Sequence, residues 1–207
     1  AKGLVACYLM NEGTGTILND LSKNGNTGTI SNGTWVASEY GGGLEFNALN
    51  SEVLITDNST IDLLNNVTFE ALVYPRSEGV QRLFHKNLAY GVSMYNTDYR
   101  VFLWNYNGGQ QSISTNGLTP DAINHLIITK SVDGVFFFID CEDAGSDTAT
   151  GAKKDLRTSL VDLFIGLDED GSSFPFDGSI LLFLMYNRVL SATEIYNHYK
   201  DPYDMFI

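Results

Sequence analysis

The sequence predicts an all-β domain, a sandwich or barrel of many short strands, followed by one short C-terminal helix. Three observations carry this. Short apolar runs alternate with turn residues almost from end to end of the 207 residues. Aromatics are plentiful, with 12 Phe and 11 Tyr, while Pro is scarce at 4, a balance that favours strands over disorder or long exposed helices. The single convincing helix signal, a capping box, stands near the end of the chain. The apolar fraction of 43% is enough to bury a sizeable core in one domain.

The elements follow in order. Leu4 to Met10 reads as a first strand, stopped by Asn11-Glu12-Gly13-Thr14-Gly15. Asn19 to Gly33 is polar, carries Asn-Gly and Gly-Asn pairs, and reads as turns. Gly43 to Asn47 and Glu52 to Thr56 are short strands. Val67, Phe69, Ala71 and Val73 alternate with Thr68, Glu70, Leu72 and Tyr74, the period-2 pattern of a strand with one face inward. Pro75 ends it. Further strands are expected at Gln81–Lys86, Gly91–Tyr95, Tyr99–Asn105, Gln110–Thr115, Ile123–Lys130, Val135–Asp140, Val161–Gly166 and Phe176–Tyr186. Ser131-Val132-Asp133-Gly134 makes the clearest hairpin. In Ser191-Ala192-Thr193-Glu194 the hydroxyl and the carboxylate each satisfy an orphan amide of a helix that runs to about Tyr199 and stops before Pro202. No linker, low-complexity block or repeat interrupts the pattern. The expected organisation is one domain over 1–200 and a tail over 201–207.

Charge and cysteine content narrow the function. A formal net charge of −13 repels phosphate backbones and acidic membrane surfaces, so neither nucleic acid nor a membrane is an expected partner. No apolar run approaches the roughly 18 residues that span a bilayer. Ala1-Lys2-Gly3 leads directly into a strand and does not read as a signal peptide. Cys7 and Cys141 match no zinc spacing, and each falls in a strand-like apolar run, the setting of buried free thiols; one long-range bridge is the alternative in a secreted protein.

Several segments, taken together, carry a resemblance. Gly3 to Ala6 with Met10 to Gly15 is similar to the opening strand and turn of laminin-G-like domains in the concanavalin A-like lectin/glucanase group. Asp20-Leu21-Ser22-Lys23-Asn24-Gly25-Asn26-Thr27-Gly28 resembles the family's D-x-S-G-N-G-N-x-G segment, and Gly43-Leu44-Glu45-Phe46 its next strand. Val67 to Pro75 resembles a strand of the type F-T-I-E-A-W-V-Y-P. Phe176 to Ile180 and Tyr186 to Ser191 resemble the closing strand and the helix start. The matches span nearly the whole chain in the right order. The resemblance implies an antiparallel two-sheet β-sandwich of jelly-roll type. Such domains are often calcium-stabilised and often belong to extracellular, cell-surface, virion or phage-tail proteins.

Two departures stand out. Lys23 and Cys141 stand where the family usually has Gly. The closing strand, commonly I-D-E-V-R-I-Y-N-R, here runs Ile180-Leu181-Leu182-Phe183-Leu184-Met185-Tyr186-Asn187-Arg188. A strand apolar on both faces must be covered on both. The cover is either the chain's own helix or a partner: a second subunit, another protein, or the tail with Tyr203 to Ile207.

Three chemistries are weighed on these residues. Calcium takes six to eight oxygen ligands. Asp20, Ser22, Asn24 and Asn26 supply oxygens at alternating positions of one loop, and Asp177 would join them if first and last strands pair. Ordinary Asn-Gly turn chemistry explains the same residues. Glycosidase chemistry needs two carboxyls about 5 Å apart in retaining enzymes. The family's E-x-D-x-E strand is absent, Glu70 stands alone in its strand, and no nucleophile elbow, P-loop or H-E-x-x-H occurs, so no enzyme is expected. The three histidines are far apart in sequence. Sugar binding remains. Phe102, Trp104 and Tyr106 share one face of a strand while Val101 and Leu103 share the other. With the aliphatic face in the core, Trp104 and Tyr106 lie on the open sheet face, near Tyr95, Asp98 and Asn107, ready to stack on and read a sugar. The competing reading makes Trp104 a core aromatic, and Trp35 is a second candidate. The expected function is non-catalytic recognition of an extracellular glycan or glycoconjugate, supported by structural Ca²⁺. The alternative is a structural or adhesion module contacting protein through its sheets and tail.

Overall fold

The computed structural model describes residues 1–107 and 109–203. In chain order the strands are β1 (Leu4–Tyr8), β2 (Ile17–Leu18), β3 (Gly28–Ser31), β4 (Thr34–Val36), β5 (Gly43–Asn47) and β6 (Glu52–Ile55). Then come β7 (Val67–Pro75), β8 (Gln81–Lys86), β9 (Tyr90–Tyr95), β10 (Arg100–Asn105) and β11 (Gln110–Gly117). The remainder is β12 (Asn124–Ser131), β13 (Gly134–Ile139), β14 (Glu142–Asp147), a one-turn helix α1 (Thr150–Lys153), β15 (Leu163–Ile165), β16 (Asp177–Tyr186) and helix α2 (Ala192–Lys200).

The strands form two antiparallel sheets of eight. The front sheet runs β11-β10-β9-β8-β15-β6-β3-β2. The back sheet runs β14-β13-β12-β7-β16-β5-β4, and β1 also pairs with β16. One edge of β16 is shared: β5 takes Asp177 to Ile180, β1 takes Phe183 to Tyr186, and a bulge between Ile180 and Leu182 separates the two.

The main core lies between the sheets. Val67, Phe69, Ala71 and Val73 of β7 face it, as do Val101 and Leu103 of β10. Aromatic rings fill the centre: Phe84 packs 4.9 Å from Phe69 and 4.7 Å from Phe183, a geometry that adds about 1 kcal/mol per pair beyond area burial. A second apolar layer lies on the other side of the back sheet, where Leu72, Leu182, Leu184 and Tyr186 meet Leu190, just before α2, and Ile195 of α2. The capping box of α2 forms as expected, Ser191 Oγ accepting from the Glu194 amide and Glu194 accepting from the Ser191 amide.

This second layer settles the cover of the closing strand. Ile180 to Tyr186 is buried on both faces by its own chain, with Leu182 and Leu184 at 0% exposure. The expected partner or homo-oligomer contact through that strand is therefore corrected: the strand has no surface to offer. Of the tail, Tyr203 packs against this layer and 6.5 Å from Tyr40; Asp204 to Ile207 lie outside the described residues.

Three local expectations also need correction. The stretch read as turns between Asn19 and Gly33 contains β3, an edge-side strand too polar and short to show a period. Cys141 is not in a strand run: Asp140 and Cys141 form the tight β13–β14 turn with φ of 52° and 67°, the left-handed pair that twisted hairpins require. The one-turn helix α1 carries no cap or apolar stripe that would announce it. Both cysteines are free, Cys7 fully buried and Cys141 half-buried.

Candidate functional site

The two outer faces of the sandwich differ. Helix α2 covers the outer back sheet around Leu72, Leu182 and Leu184. The outer front sheet carries aromatic side chains that reach solvent. Trp104, Tyr106 and Tyr95 are half-buried, and Val101 and Leu103 between them turn into the core. The aliphatic face is thus the core face, and Trp104 is not a core aromatic. The rings form a row: Tyr95 to Phe102 edge-on at 5.7 Å, Phe102 to Trp104 edge-on at 5.7 Å, Trp104 to Tyr106 stacked at 6.0 Å.

A polar network underlies this row. Pairing across β8, β9 and β10 sets His85 beside Gly91 and Gly91 beside Trp104. Gly91 is required there, because a Cβ would lie 2.7 Å from the His85 ring. Arg82, one of the few buried cations, donates from Nη1 to Ser93 Oγ at 2.8 Å and from Nε to Asp168 Oδ2 at 3.1 Å. Its guanidinium lies 6.0 Å from the Trp104 ring centre and 5.0 Å from that of Phe174. The loop bearing Phe174 is pinned by the Arg82 amide, which donates to the Phe174 carbonyl at 2.7 Å. Phe174 itself is 43% exposed and has φ of 54°. The indole N–H of Trp104 is shut off from solvent and has no partner among the described residues.

Asp168, His85 and Tyr106 stand in line. His85 Nδ1 is 2.6 Å from Asp168 Oδ1, and His85 Nε2 is 2.7 Å from the Tyr106 hydroxyl. The order is that of an acid–base relay, but the electrostatics are not. Burial, with Arg82 close by, holds His85 below its ordinary pKa despite Asp168. Burial raises Tyr106 above its own. A phenol that keeps its proton beside a neutral imidazole is not an activated nucleophile. The line positions Tyr106 and neutralises Arg82.

The other sugar-site candidates do not converge on Trp104. Asp98 precedes β10 and lies 2.7 Å from Arg100 Nε. Asn107 follows β10 and donates from Nδ2 to the Asp155 carbonyl at 3.1 Å. Trp35 lies on β4, donating to the Gly15 carbonyl at 2.9 Å.

The calcium candidates are arranged for donors rather than a cation. Asp20 accepts four hydrogen bonds: Oδ1 from the amides of Cys7 at 2.9 Å and Ser22 at 2.8 Å, Oδ2 from Ser22 Oγ at 2.7 Å and the Asn26 amide at 2.8 Å. Asn24 and Asn26 both direct Nδ2 to the Val5 carbonyl at 2.9 Å, and Asn26 Oδ1 accepts from Thr60 Oγ1 at 3.0 Å. A calcium ion requires six or more converging oxygens. These side chains do not fit one; they fit a turn closed onto β1. Asp177 does not join them, which corrects the expected set. Asp20 sits at Cys7, opposite Leu184, and Asp177 lies seven residues away along β16, about 23 Å at strand rise. It pairs instead with Arg76 Nε at 3.0 Å. Among the described residues no group of three or more His, Cys, Asp or Glu side chains is disposed to hold a metal.

The sequence matches the family model for the concanavalin A-like lectin/glucanases superfamily over residues 46–196. The chain belongs to this superfamily. No curated relative matches it. Among solved structures, it is similar to the binding domain of Paraclostridial Mosquitocidal Protein 1, with TM-score 0.79 and 15% identity over 98% of this chain and 53% of that one. It is similar to domain 4 of AbnA, a GH43 extracellular arabinanase from Geobacillus stearothermophilus, solved with arabinotriose, with TM-score 0.74 and 15% identity over 94% and 97% of the two chains. It is also similar to Trypanosoma rangeli sialidase, with TM-score 0.70 and 18% identity over 96% and 32%. This superfamily member therefore spans about half of the toxin domain, about a third of the sialidase, and nearly the whole of the arabinanase domain. At these identities the likeness is one of fold. No described helix is long and apolar enough to cross a membrane.

Sequence reading missed Arg82, His85, Asp168 and Phe174. Arg82 and His85, three residues apart in Gln81–Lys86, would face opposite sides of a regular strand, and a bulge between Arg82 and Phe84 brings them to one face. Asp168 lies in an acidic loop that reads as a solvated turn. Only strand pairing brings them under the aromatic row.

Proposed function

We propose that this domain is a non-catalytic carbohydrate-binding module, working outside the cell, that takes a neutral glycan on the outer face of its front sheet. The observation that carries the reading is the row Tyr95–Phe102–Trp104–Tyr106 with Phe174 across from it. The half-buried rings of Tyr95, Trp104 and Tyr106, held at fixed angles around the buried Phe102, suit the C–H faces of sugar rings. The rigid strands beneath them suit recognition without induced fit. Charge favours a neutral ligand: Arg82 is paired with Asp168, Arg100 lies against Asp98, and the chain as a whole is acidic. The proposal gives the Asp20 loop no calcium. The arabinanase domain solved with arabinotriose is a precedent of the same fold and length, at an identity that carries fold alone.

The test is a screen of neutral and anionic oligosaccharides, arabinotriose and sialic acid among them, followed by calorimetry on the best binder. Trp104→Ala is expected to lower affinity at least 100-fold while melting behaviour and circular dichroism stay native, since loss of one stacking ring costs about 3 kcal/mol. Selective binding of anionic glycans, or neutral binding indifferent to Trp104, would overturn the reading.

A further inference from the structure

Lys86 ends strand β8 and is 0% exposed, one of the largest side chains in the molecule to be wholly buried. It pairs with Leu163 of β15, which pairs in turn with Ile55 of β6, and both of these neighbours belong to the main core. The chain leaving β6 and the chain entering β15 fold over its ammonium. Nζ donates to Asp57 Oδ1, to the Val161 carbonyl at 2.7 Å and to the Ser159 carbonyl at 3.1 Å, and Asp62 Oδ1 stands 3.5 Å away. The walls of this cage are bonded to one another. The Asp57 amide donates to Asp162 Oδ1 at 2.8 Å, the Ser159 amide to Asp62 Oδ1 at 3.5 Å, and the Tyr90 hydroxyl to the Ile61 carbonyl at 2.8 Å.

An ammonium shut off from water is costly unless its N–H groups and its charge are all answered. Here three N–H groups meet three oxygens, and the charge meets two carboxylates. Two carboxylates and two backbone carbonyls, brought from separate stretches of chain to one point, are also the kind of oxygen set that a hard divalent cation takes. The stretches so joined, 56–66 and 154–162, contain no strand and a single turn of 3-10 helix at Ser59–Ile61. Their fastening therefore falls largely to side chains.

The superfamily resemblance implies a calcium ion, and the Asp20 loop does not fit one. We infer that the Lys86 ammonium takes the part of a structural cation in this domain. It joins β8 to the β6–β7 connection through Asp57 and Asp62, and to the lead-in of β15 through Ser159 and Val161, so that the fold stands without a metal ion. A cation carried on the chain is lost neither to chelators nor to dilution. The cage lies on the core side of β8, opposite His85, and is independent of the glycan reading.

The experiment is thermal melting of the whole domain in chelator and in millimolar calcium. It is run on the wild type, Lys86→Ala, Lys86→Met, and Lys86→Met combined with Asp57→Asn. The wild type should melt at the same temperature in both buffers. Lys86→Ala keeps the four oxygens and vacates the lysine stem. It should melt about 10 °C lower in chelator, regain at least half of that loss in calcium, and bind calcium at one site by calorimetry. Lys86→Met fills the same space without a charge, so it should melt as low and gain nothing from calcium. Adding Asp57→Asn returns the cage to its original net charge and should recover at least half of the loss. A wild type that loses stability in chelator overturns the inference, as does a Lys86→Met variant as stable as the wild type. A folded Lys86→Ala variant that calcium neither binds nor stabilises overturns it too. Should Lys86→Ala fold in neither buffer, the double variant decides: stability no better than that of Lys86→Met overturns the inference, and recovery supports it.

Discussion

Glu70 is the most consequential single residue outside the binding face. Its carboxylate is fully buried under α2, where Oε1 lies 2.8 Å from His125 Nε2 and Oε2 2.8 Å from His198 Nδ1. Burial alone would raise this carboxyl; hydrogen bonds from the two imidazoles outweigh it and hold Glu70 below its ordinary 4.5. A depressed folded pKa contributes stability that is present above pH 4.5 and lost as pH falls through the folded value. His85, held below its ordinary 6.5, acts in the same direction from about pH 6.5 downward. Glu70→Gln is expected to cost about 2 kcal/mol at neutral pH, because the amide can accept from one imidazole and not from both. Urea denaturation at pH 7 and at pH 4 checks this: the gap between variant and wild type should narrow at pH 4. A gap that holds or widens would remove the clamp. In the sequence Glu70 is a lone carboxylate and the histidines are 73 and 40 residues apart. His125 is held through Nε2 by Glu70 of β7 and stacks on Tyr199 of α2, elements that meet only once the sheet is formed.

At the scale of elements, what local chemistry encodes is what the sequence displays. The capping box, the β12–β13 hairpin with Ser131 paired to Gly134, and the alternation of β7 all form where the residue types place them. β2, β3, β4 and β14 escape notice because they are short or polar strands at or near sheet edges, where only one neighbour and little burial constrain composition. The twofold burial of β7 and β16 follows from α2, whose Ile195 and His198 lock it to the sheet. Ser191→Ala removes the cap oxygen that accepts from the Glu194 amide. It is expected to cost about 1 kcal/mol of global stability, read as a lower urea midpoint with an unchanged slope. A change in slope, or none in midpoint, would mean that α2 unfolds apart from the sandwich.

On the whole-molecule scale, the sequence resolves the fold and half of the site. The aromatic face is legible because Phe102, Trp104 and Tyr106 alternate with Val101 and Leu103 along one strand, and a period of two needs no tertiary knowledge. The supporting residues are illegible because Arg82, His85 and Asp168 belong to β8 and to the loop after β15, joined to Trp104 only through sheet order. The Asp20 loop misleads for a related reason: oxygens spaced for a cation serve equally well to accept amide protons, and β1 supplies those protons only in the folded chain. The sandwich thus has one outer face sealed in large part by its own helix and one that presents rings to solvent, a division that makes the front sheet the place to look for a ligand.

The most direct test is a titration of isotope-labelled domain with the neutral oligosaccharide that binds best, observed at the front-sheet backbone and the Trp104 side chain. Saturable shifts are expected at Arg82, Ser93 and Trp104 on neighbouring strands, with Phe174 following. A front face that stays silent while the sugar binds elsewhere, or a panel of neutral glycans that moves none of these signals, would contradict it.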